Sequence, residues 1–343
     1  MNSLENLLQR HAAFWKRESV DEPLLRILPN RKRQRLDNMD ITPDILDVNA
    51  LTPEVGSRDL RKQLVQGDLF HVEYPFSRVP WMEAIVGCAI HAGADEAMWP
   101  RLALGPNYEG VERIIPRDDN PWLIKLLELT RALVEANDGS YLVAHTLQRG
   151  PIDMLSALLG DERMGMAFYD APDQVNQVLA ATAQAFVQVA KAQYTLIPAF
   201  HGGWAPWVYG LWAPGTVARF QSDSSSQLSP RMYREHVLPH DRVIMRSFDY
   251  SIIDLHSAGT LHIYPVLLEE EHLNAMSVTL DRYENAPSVA DLMPTFAAIL
   301  EAKSLVIFGE ATADEVALMR EKLPARGLCI AVTLTDTRHY RVG

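Results

Sequence analysis

Short apolar runs, each followed by a stretch with helical spacing, recur along the chain from about residue 83, and this alternation is the sequence sign of repeated βα units. Eight runs read as strands: EAIVGCAI (83–90), SYLVAHT (140–146), TLIPAFH (195–201), VARFQSD (217–223), YSIIDLH (250–256), LNAMSVTLD (273–281), SLVIFGE (304–310) and LCIAVTLTD (328–336). Continuous apolar runs of this kind suit parallel strands buried on both faces. Between them stand helix start signals. Asp170 precedes Pro172 at the head of a long periodic stretch, Ser229-Pro230 has the order of an N-cap followed by proline, and Thr312 with Glu315 forms a capping box. The pattern predicts an α/β fold, a (β/α)8 TIM barrel over residues 81–343. Residues 1–80 read as a short helix followed by segments punctuated by Pro, Asp and Asn, an N-terminal helical or irregular extension packed on the barrel.

A chain of 343 residues, 48% hydrophobic and 22% charged, has the composition of a globular protein that buries one large core. Its apolar runs fall far short of the roughly 20 residues that cross a bilayer. The opening MNSLENLLQRHAAFWKRE scatters charges among apolar positions, so it reads as a surface helix and not as a secretory signal. Only two cysteines, Cys88 and Cys329, are present, which points to free thiols and a cytoplasmic location. A formal charge of −12 opposes nucleic-acid binding, and the one basic run, residues 31–35, reads as a solvated loop.

Parallel barrel strands present functional side chains at their C-terminal ends, so polar strand ends are the site candidates. His256 closes an apolar strand and is followed by Ser-Ala-Gly, which leaves room for a ligand. Asp223 is either a loop cap or a site group. Cys88 is either a small buried hydrophobe or a thiolate at the site. His145, His201, Asp281 and Glu310 all end predicted strands, and His256, His201 and Glu310 together form a candidate site for a divalent metal, a nitrogen and oxygen donor set suited to zinc, iron or manganese. Trp204 and Trp207, with Tyr209, lie in HGGWAPWVYGLWAP (201–214), either a wall over a flat substrate or a pin for a long loop. Trp99, Arg101 and Arg149 complete the substrate-binding candidates.

Two longer stretches, GPIDMLSALLGDERMGMAFYDAPDQVNQVLAATAQAF (150–186) and FQSDSSSQLSPRMYREHVLPHDRVI (220–244), together with IIDLHSAGTLHIYPVLLEE (252–270), resemble the uroporphyrinogen decarboxylase superfamily. The likeness rests on Gly150-Pro151, Leu159-Gly160, Pro172, Asp223, Leu228-Ser229-Pro230, Leu238-Pro239-His240 and the strand end His256 with Ala258-Gly259. It spans roughly residues 80–336 and includes a divergent, methyltransferase-related branch. The resemblance implies a barrel enzyme, either a decarboxylase or a zinc-dependent methyltransferase that moves a methyl group between a corrinoid and a thiol. This chain lacks the decarboxylase stretch Arg-Gln-Ala-Gly-Arg, and Ala258 stands where the methyltransferases place a zinc-binding cysteine.

The first expectation is therefore methyl transfer to or from a small molecule at the barrel mouth, with His256 and Asp223 as acid–base or metal-binding groups. A divalent metal, zinc first, would be the cofactor, a corrinoid protein or a thiol acceptor the partner, and a homodimer is left open. A second is a cofactor-free carboxy-lyase in which Arg101 or Arg149 holds the carboxylate. A third is a non-catalytic barrel that binds a tetrapyrrole or a protein.

Overall fold

A computed structural model describes residues 3–27, 39–52, 67–93, 98–105 and 107–335. The basic run at 31–35 lies outside the described residues. Seven parallel strands form the main sheet, in the order Leu24–Ile27, Leu328–Leu334, Ser304–Ala311, Ala275–Leu280, Tyr250–His256, Val217–Gln221 and Gln148–Arg149. Neighbouring strands are in register without bulges from Val217 to Leu334: Ile253 faces Met276, and Val306 faces both Ser277 and Cys329. The two edges of this sheet are joined around the wall by weaker pairing. Asp68 N donates to Leu25 O at 2.8 Å, Gly67 bridges Arg26, and Val72–Glu73 pairs in parallel with Leu142–Val143, which runs on in sequence to Gln148–Arg149. The fold is the barrel that the alternation predicts, with a ladder interrupted over this sector.

Five of the eight expected strands fall where the apolar runs place them, from Val217–Gln221 to Leu328–Leu334. A sixth, 140–146, pairs only at Leu142–Val143. The first and third are different. Trp81–Ile85 is a helix, and Ala89–Ala92 belongs to a small antiparallel sheet with Met39–Ile41 and Met98–Arg101. Every residue of that helix is buried, the charged Glu83 included, so no exposed polar face marks its period, and a single turn of buried helix reads like a buried strand. The stretch 195–201 forms no strand and follows directly on the 23-residue helix Pro172–Tyr194. Their places in the wall are taken by Leu24–Ile27 and Val72–Glu73, so the sheet draws on chain before residue 80.

This rearrangement decides which end of the barrel is open. The segment 195–216 precedes the strand Val217–Gln221, so it lies at the N-terminal end of the strands. There Tyr209, Leu211 and Ala213 pack with Leu24, Val217, Ile252, Ala275, Val306 and Cys329. Phe14 and Trp15, from the helix Ser3–Lys16, join the same cluster, and Trp15 Nε1 donates to Trp212 O at 2.8 Å. Gly210 lies so close to Phe70 that a Cβ there would stand 1.8 Å from its carbonyl oxygen, and its positive φ of 73° adds a second reason for glycine. Helix and loop thus plug the floor, each fully buried aromatic adding about 1.5–3 kcal/mol of apolar burial. The C-terminal end is left for the site.

At that end the start signals hold. Ser229 Oγ accepts from Met232 N at 3.2 Å, and Thr312 and Glu315 form the capping box read from the sequence. Among the described residues no helix is long and apolar enough to cross a membrane.

Candidate functional site

Along Tyr250–His256 alternate residues share one face, which places Ile252, Asp254 and His256 in ascending layers above the floor. His256 is the last of these and is about one-third exposed. Asp281 follows the neighbouring strand Ala275–Leu280, and its Oδ1 lies 2.8 Å from His256 Nδ1. The carboxylate is itself fixed: Ala258 N donates to Oδ2 at 2.9 Å and Ser257 Oγ lies 3.3 Å from it. A carboxylate accepts from Nδ1–H, so neutral His256 presents the lone pair of Nε2. That nitrogen faces Asp223 Oδ1 at 3.8 Å. Burial pulls the His256 pKa down, but the Asp281 hydrogen bond and the charges of Asp223, Asp254 and Asp281 outweigh it, and the imidazole is held above 6.5.

Asp223 joins this histidine to a second cluster centred on Arg149. The guanidinium lies 3.2 Å from Glu83 Oε1, 3.5 Å from Asp153 Oδ2 and 3.7 Å from Asp223 Oδ2. Gly150 makes this placement: its N donates to Gln221 O at 2.9 Å, and a Cβ there would stand 2.5 Å from that oxygen. The chain therefore presses against the next strand as it turns into the helix Pro151–Leu159, whose third residue is Asp153. Asp153 Oδ1 accepts from Ser224 N at 2.7 Å, which anchors the loop carrying Asp223. Burial and the nearby Asp153 raise the Asp223 pKa to about 7, against the lowering pull of Arg149 and His256. Burial also raises Glu83. A cleft of about 340 Å³ opens over this cluster, lined by Arg149, Asp153, Asp223, Ser224, Trp99 and Leu102 among others.

Below lies a closed network. Arg219 and Asp254, both about 1% exposed, pair at 2.8 Å, and the Tyr209 hydroxyl sits within hydrogen-bonding distance of Arg219 Nε, Asp254 Oδ1 and Ser277 Oγ. Trp207 stacks under the guanidinium at 4.8 Å. Tyr209 and Trp207, expected to touch substrate from a loop on the catalytic face, instead rise from the floor because their loop precedes a strand. Trp204 is the pin: its Nε1 donates to Ile197 O at 3.0 Å and its ring packs on Tyr194.

The remaining candidates scatter. His145 is buried with its ring nitrogens at 2.8 Å from Thr146 O and 3.2 Å from Val217 O, because the chain continues along the wall to Arg149 and the strand end is there. His201 is exposed in the floor loop, and Glu310 is exposed at the end of Ser304–Ala311, so neither meets His256. The described residues hold no group of three His, Cys, Asp or Glu side chains able to bind a metal. The thiolate set that the sequence resemblance implies does not fit either. Ala258 offers no donor, and Cys329 is fully buried opposite Leu24 at the floor. Cys88 is packed in the core, its thiol pushed up by burial and by the charge of Glu83, and so stays protonated. Arg101 turns away from the cleft that Trp99 and Leu102 line and lies 3.5 Å from Asp40. Arg149, the other proposed carboxylate anchor, already faces three carboxylates.

Sequence reading missed Glu83, Asp153, Arg219 and Asp254. Asp153 did leave a signal, a lone charge in the apolar helix Pro-Ile-Asp-Met-Leu-Ser-Ala-Leu-Leu after Gly150.

Compared with solved structures, the chain aligns over 96% of its length, and 94% of the other chain, with a methyltransferase from Methanosarcina mazei, at a TM-score of 0.59 and 15% identity. The likeness is one of fold. A B12-independent methionine synthase from Shewanella sp. W3-18-1, solved in complex with selenomethionine, aligns over 63% of this chain and 61% of that one, at a TM-score of 0.41 and 11% identity. No family model and no curated protein sequence matches the chain.

Proposed function

We propose that this chain is a uroporphyrinogen decarboxylase-like enzyme that transfers a methyl group to a thiol acceptor, with a small molecule held at the C-terminal mouth of the barrel. The observation that carries the proposal is the run Asp281–His256–Asp223 at three strand ends, beside a cleft of about 340 Å³. A thiol becomes a nucleophile only as the thiolate, and Nε2 of His256 is the base placed to take its proton. Asp281 holds the ring in the tautomer that leaves Nε2 free and stabilises the imidazolium that forms. Asp223, opposite Nε2, accepts charge on the other side. The fold shared with the M. mazei methyltransferase and the motifs around Asp223 and His256 support the same reading. No step is routed through a metal, because the described residues supply no zinc set, and nothing in the Arg149 cluster favours carboxylate capture over methyl transfer.

The test is S-methylation of a small thiol, followed by mass spectrometry, with methylcobalamin, trimethylsulfonium and a neutral methyl ether supplied in turn as donors. Turnover from at least one donor that falls by a factor of about 10² to 10⁴ in His256→Ala is expected. Equal rates in the folded variant, or no product from any donor, would sink the proposal.

A further inference from the structure

Phe308, Tyr209, Arg219, Trp207 and Tyr74 form a continuous arc across the barrel between the floor and the mouth. Phe308 and Tyr209 meet edge to face with ring centres 5.2 Å apart, the Arg219 guanidinium lies 5.5 Å from the Tyr209 ring and 4.8 Å from Trp207, and Trp207 meets Tyr74 at 5.6 Å. Tyr209 and Arg219 are buried, whereas Phe308, Trp207 and Tyr74 each keep part of their surface open. The open parts lie toward the mouth. Phe308 packs on the floor cluster two residues beyond Val306 on the same face, and Tyr74 follows the strand Val72–Glu73 at its C-terminal end, where Trp207 reaches it. Phe308 also stands level with His256, because it faces Thr279 on one neighbouring strand and Thr279 faces His256 on the next. Holding the arc costs stability. Tyr209 N donates to Trp207 O at 3.0 Å, a three-residue turn centred on Val208, whose φ is 66°. That is the strained hand of such a turn, and a β-branched residue is poorly suited to it. Leu211 and Ala213, in the same loop and the same floor cluster, close the floor without a positive φ. Strain confined to the residue between Trp207 and Tyr209 marks a place where the position of two rings outweighs backbone comfort.

From this arrangement we infer that the arc is the seat of a flat aromatic ligand, and that the thiol acceptor of the proposed reaction is an aryl or heteroaryl thiol. The second half rests on the proposed methyl transfer, and the first does not. A planar ring set on half-open aromatic faces gains edge and face interactions that a saturated ring of the same size lacks. Phe308 and His256 are two strand spacings apart, about 10 Å along the wall, which is the span of one ring and its sulfur with a contact at each end. Conjugation spreads the thiolate charge into the ring, so such a thiol ionises more readily than an alkyl one and suits a histidine base. In the transfer the S–H proton passes to Nε2 of His256 and the thiolate electron pair forms the bond to the methyl carbon. The pair of the broken bond leaves with the donor, an alkylcobalt, sulfonium or ether compound.

The test is calorimetric titration of the full chain with methyl phenyl sulfide and with cyclohexyl methyl sulfide, which are close in size and do not ionise, so that the difference reads the ring alone. The aromatic sulfide is expected to bind about tenfold more tightly, and that preference to fall to about twofold or less in Phe308→Leu and in Tyr74→Leu. Tyr74 stands apart from the floor cluster on which Phe308 packs, so its variant keeps the test if Phe308→Leu does not fold. Equal affinities, no binding of the aromatic sulfide, or a preference unchanged in every variant that folds would overturn the inference. Since binding is read without turnover, a protein that prefers the aromatic sulfide but methylates no thiol would overturn the proposed function and leave the seat standing. Methylation of cyclohexanethiol at least as fast as benzenethiol, with equal affinities for the two sulfides, would do the reverse.

Discussion

The barrel contains two arginines in similar company and uses them in opposite ways. Arg219 at the floor is about 1% exposed, meets one carboxylate at 2.8 Å, and is covered by Tyr209 and Trp207. Arg149 at the mouth is about one-third exposed, meets three carboxylates at 3.2 to 3.7 Å, and opens onto a cleft. A closely paired, covered charge with short contacts is a structural solution to burying polarity. Longer contacts and partial exposure leave polar groups within reach of a ligand, which is what a binding site requires.

The sharpest way to break this contrast is at the floor. Asp254→Ala leaves the Arg219 cation buried without its counter-charge and is expected to cost about 3–5 kcal/mol in chemical denaturation. A loss under about 1 kcal/mol would mean that the floor pair is no more structural than the mouth.

A smaller effect is expected from Asp223→Asn, and its sign follows from the raised pKa. A carboxyl group of ordinary pKa 3.8 when unfolded and about 7 when folded stabilises the fold while it is protonated, and that contribution is lost as pH rises toward 7. Removing the titration should flatten the fall in melting temperature between about pH 4 and about pH 7. Parallel pH profiles for the two proteins would show that Asp223 titrates normally. The smallest effect belongs to Trp99→Ala. An exposed aromatic that lines the cleft should leave stability within about 0.5 kcal/mol when truncated.

How much of this was legible in the sequence depended on whether a segment's role was set locally. The strand ending at His256 could be read directly, because a short, mostly apolar run that closes on a polar residue suits a parallel sheet even with Ser251 and Asp254 inside it. Asp281 and Asp223 were placed at strand ends for the same reason, and both lie within two residues of one. Trp81–Ile85 could not be told from a strand, since burial on all sides erases the period. That one ambiguity, together with the apolar stretch 195–201, shifted the strand count and put the tryptophan loop at the wrong end. Leu24–Ile27 and Val72–Glu73 are short and take strand form because Leu328–Leu334 and Leu142–Val143 lie beside them, a tertiary cause with no local mark. The metal trio of His256, His201 and Glu310 failed through the same displacement, because His201 belongs to the floor.

The central claim is that Asp281, His256 and Asp223 act as one coupled group at the mouth, and the most direct measurement of it is the titration of the His256 ring by NMR. The account predicts a midpoint above 6.5 in the intact protein that falls in Asp281→Asn and, separately, in Asp223→Asn, since each substitution removes an influence that favours the imidazolium. A midpoint at or below 6.5 that neither substitution moves would contradict it.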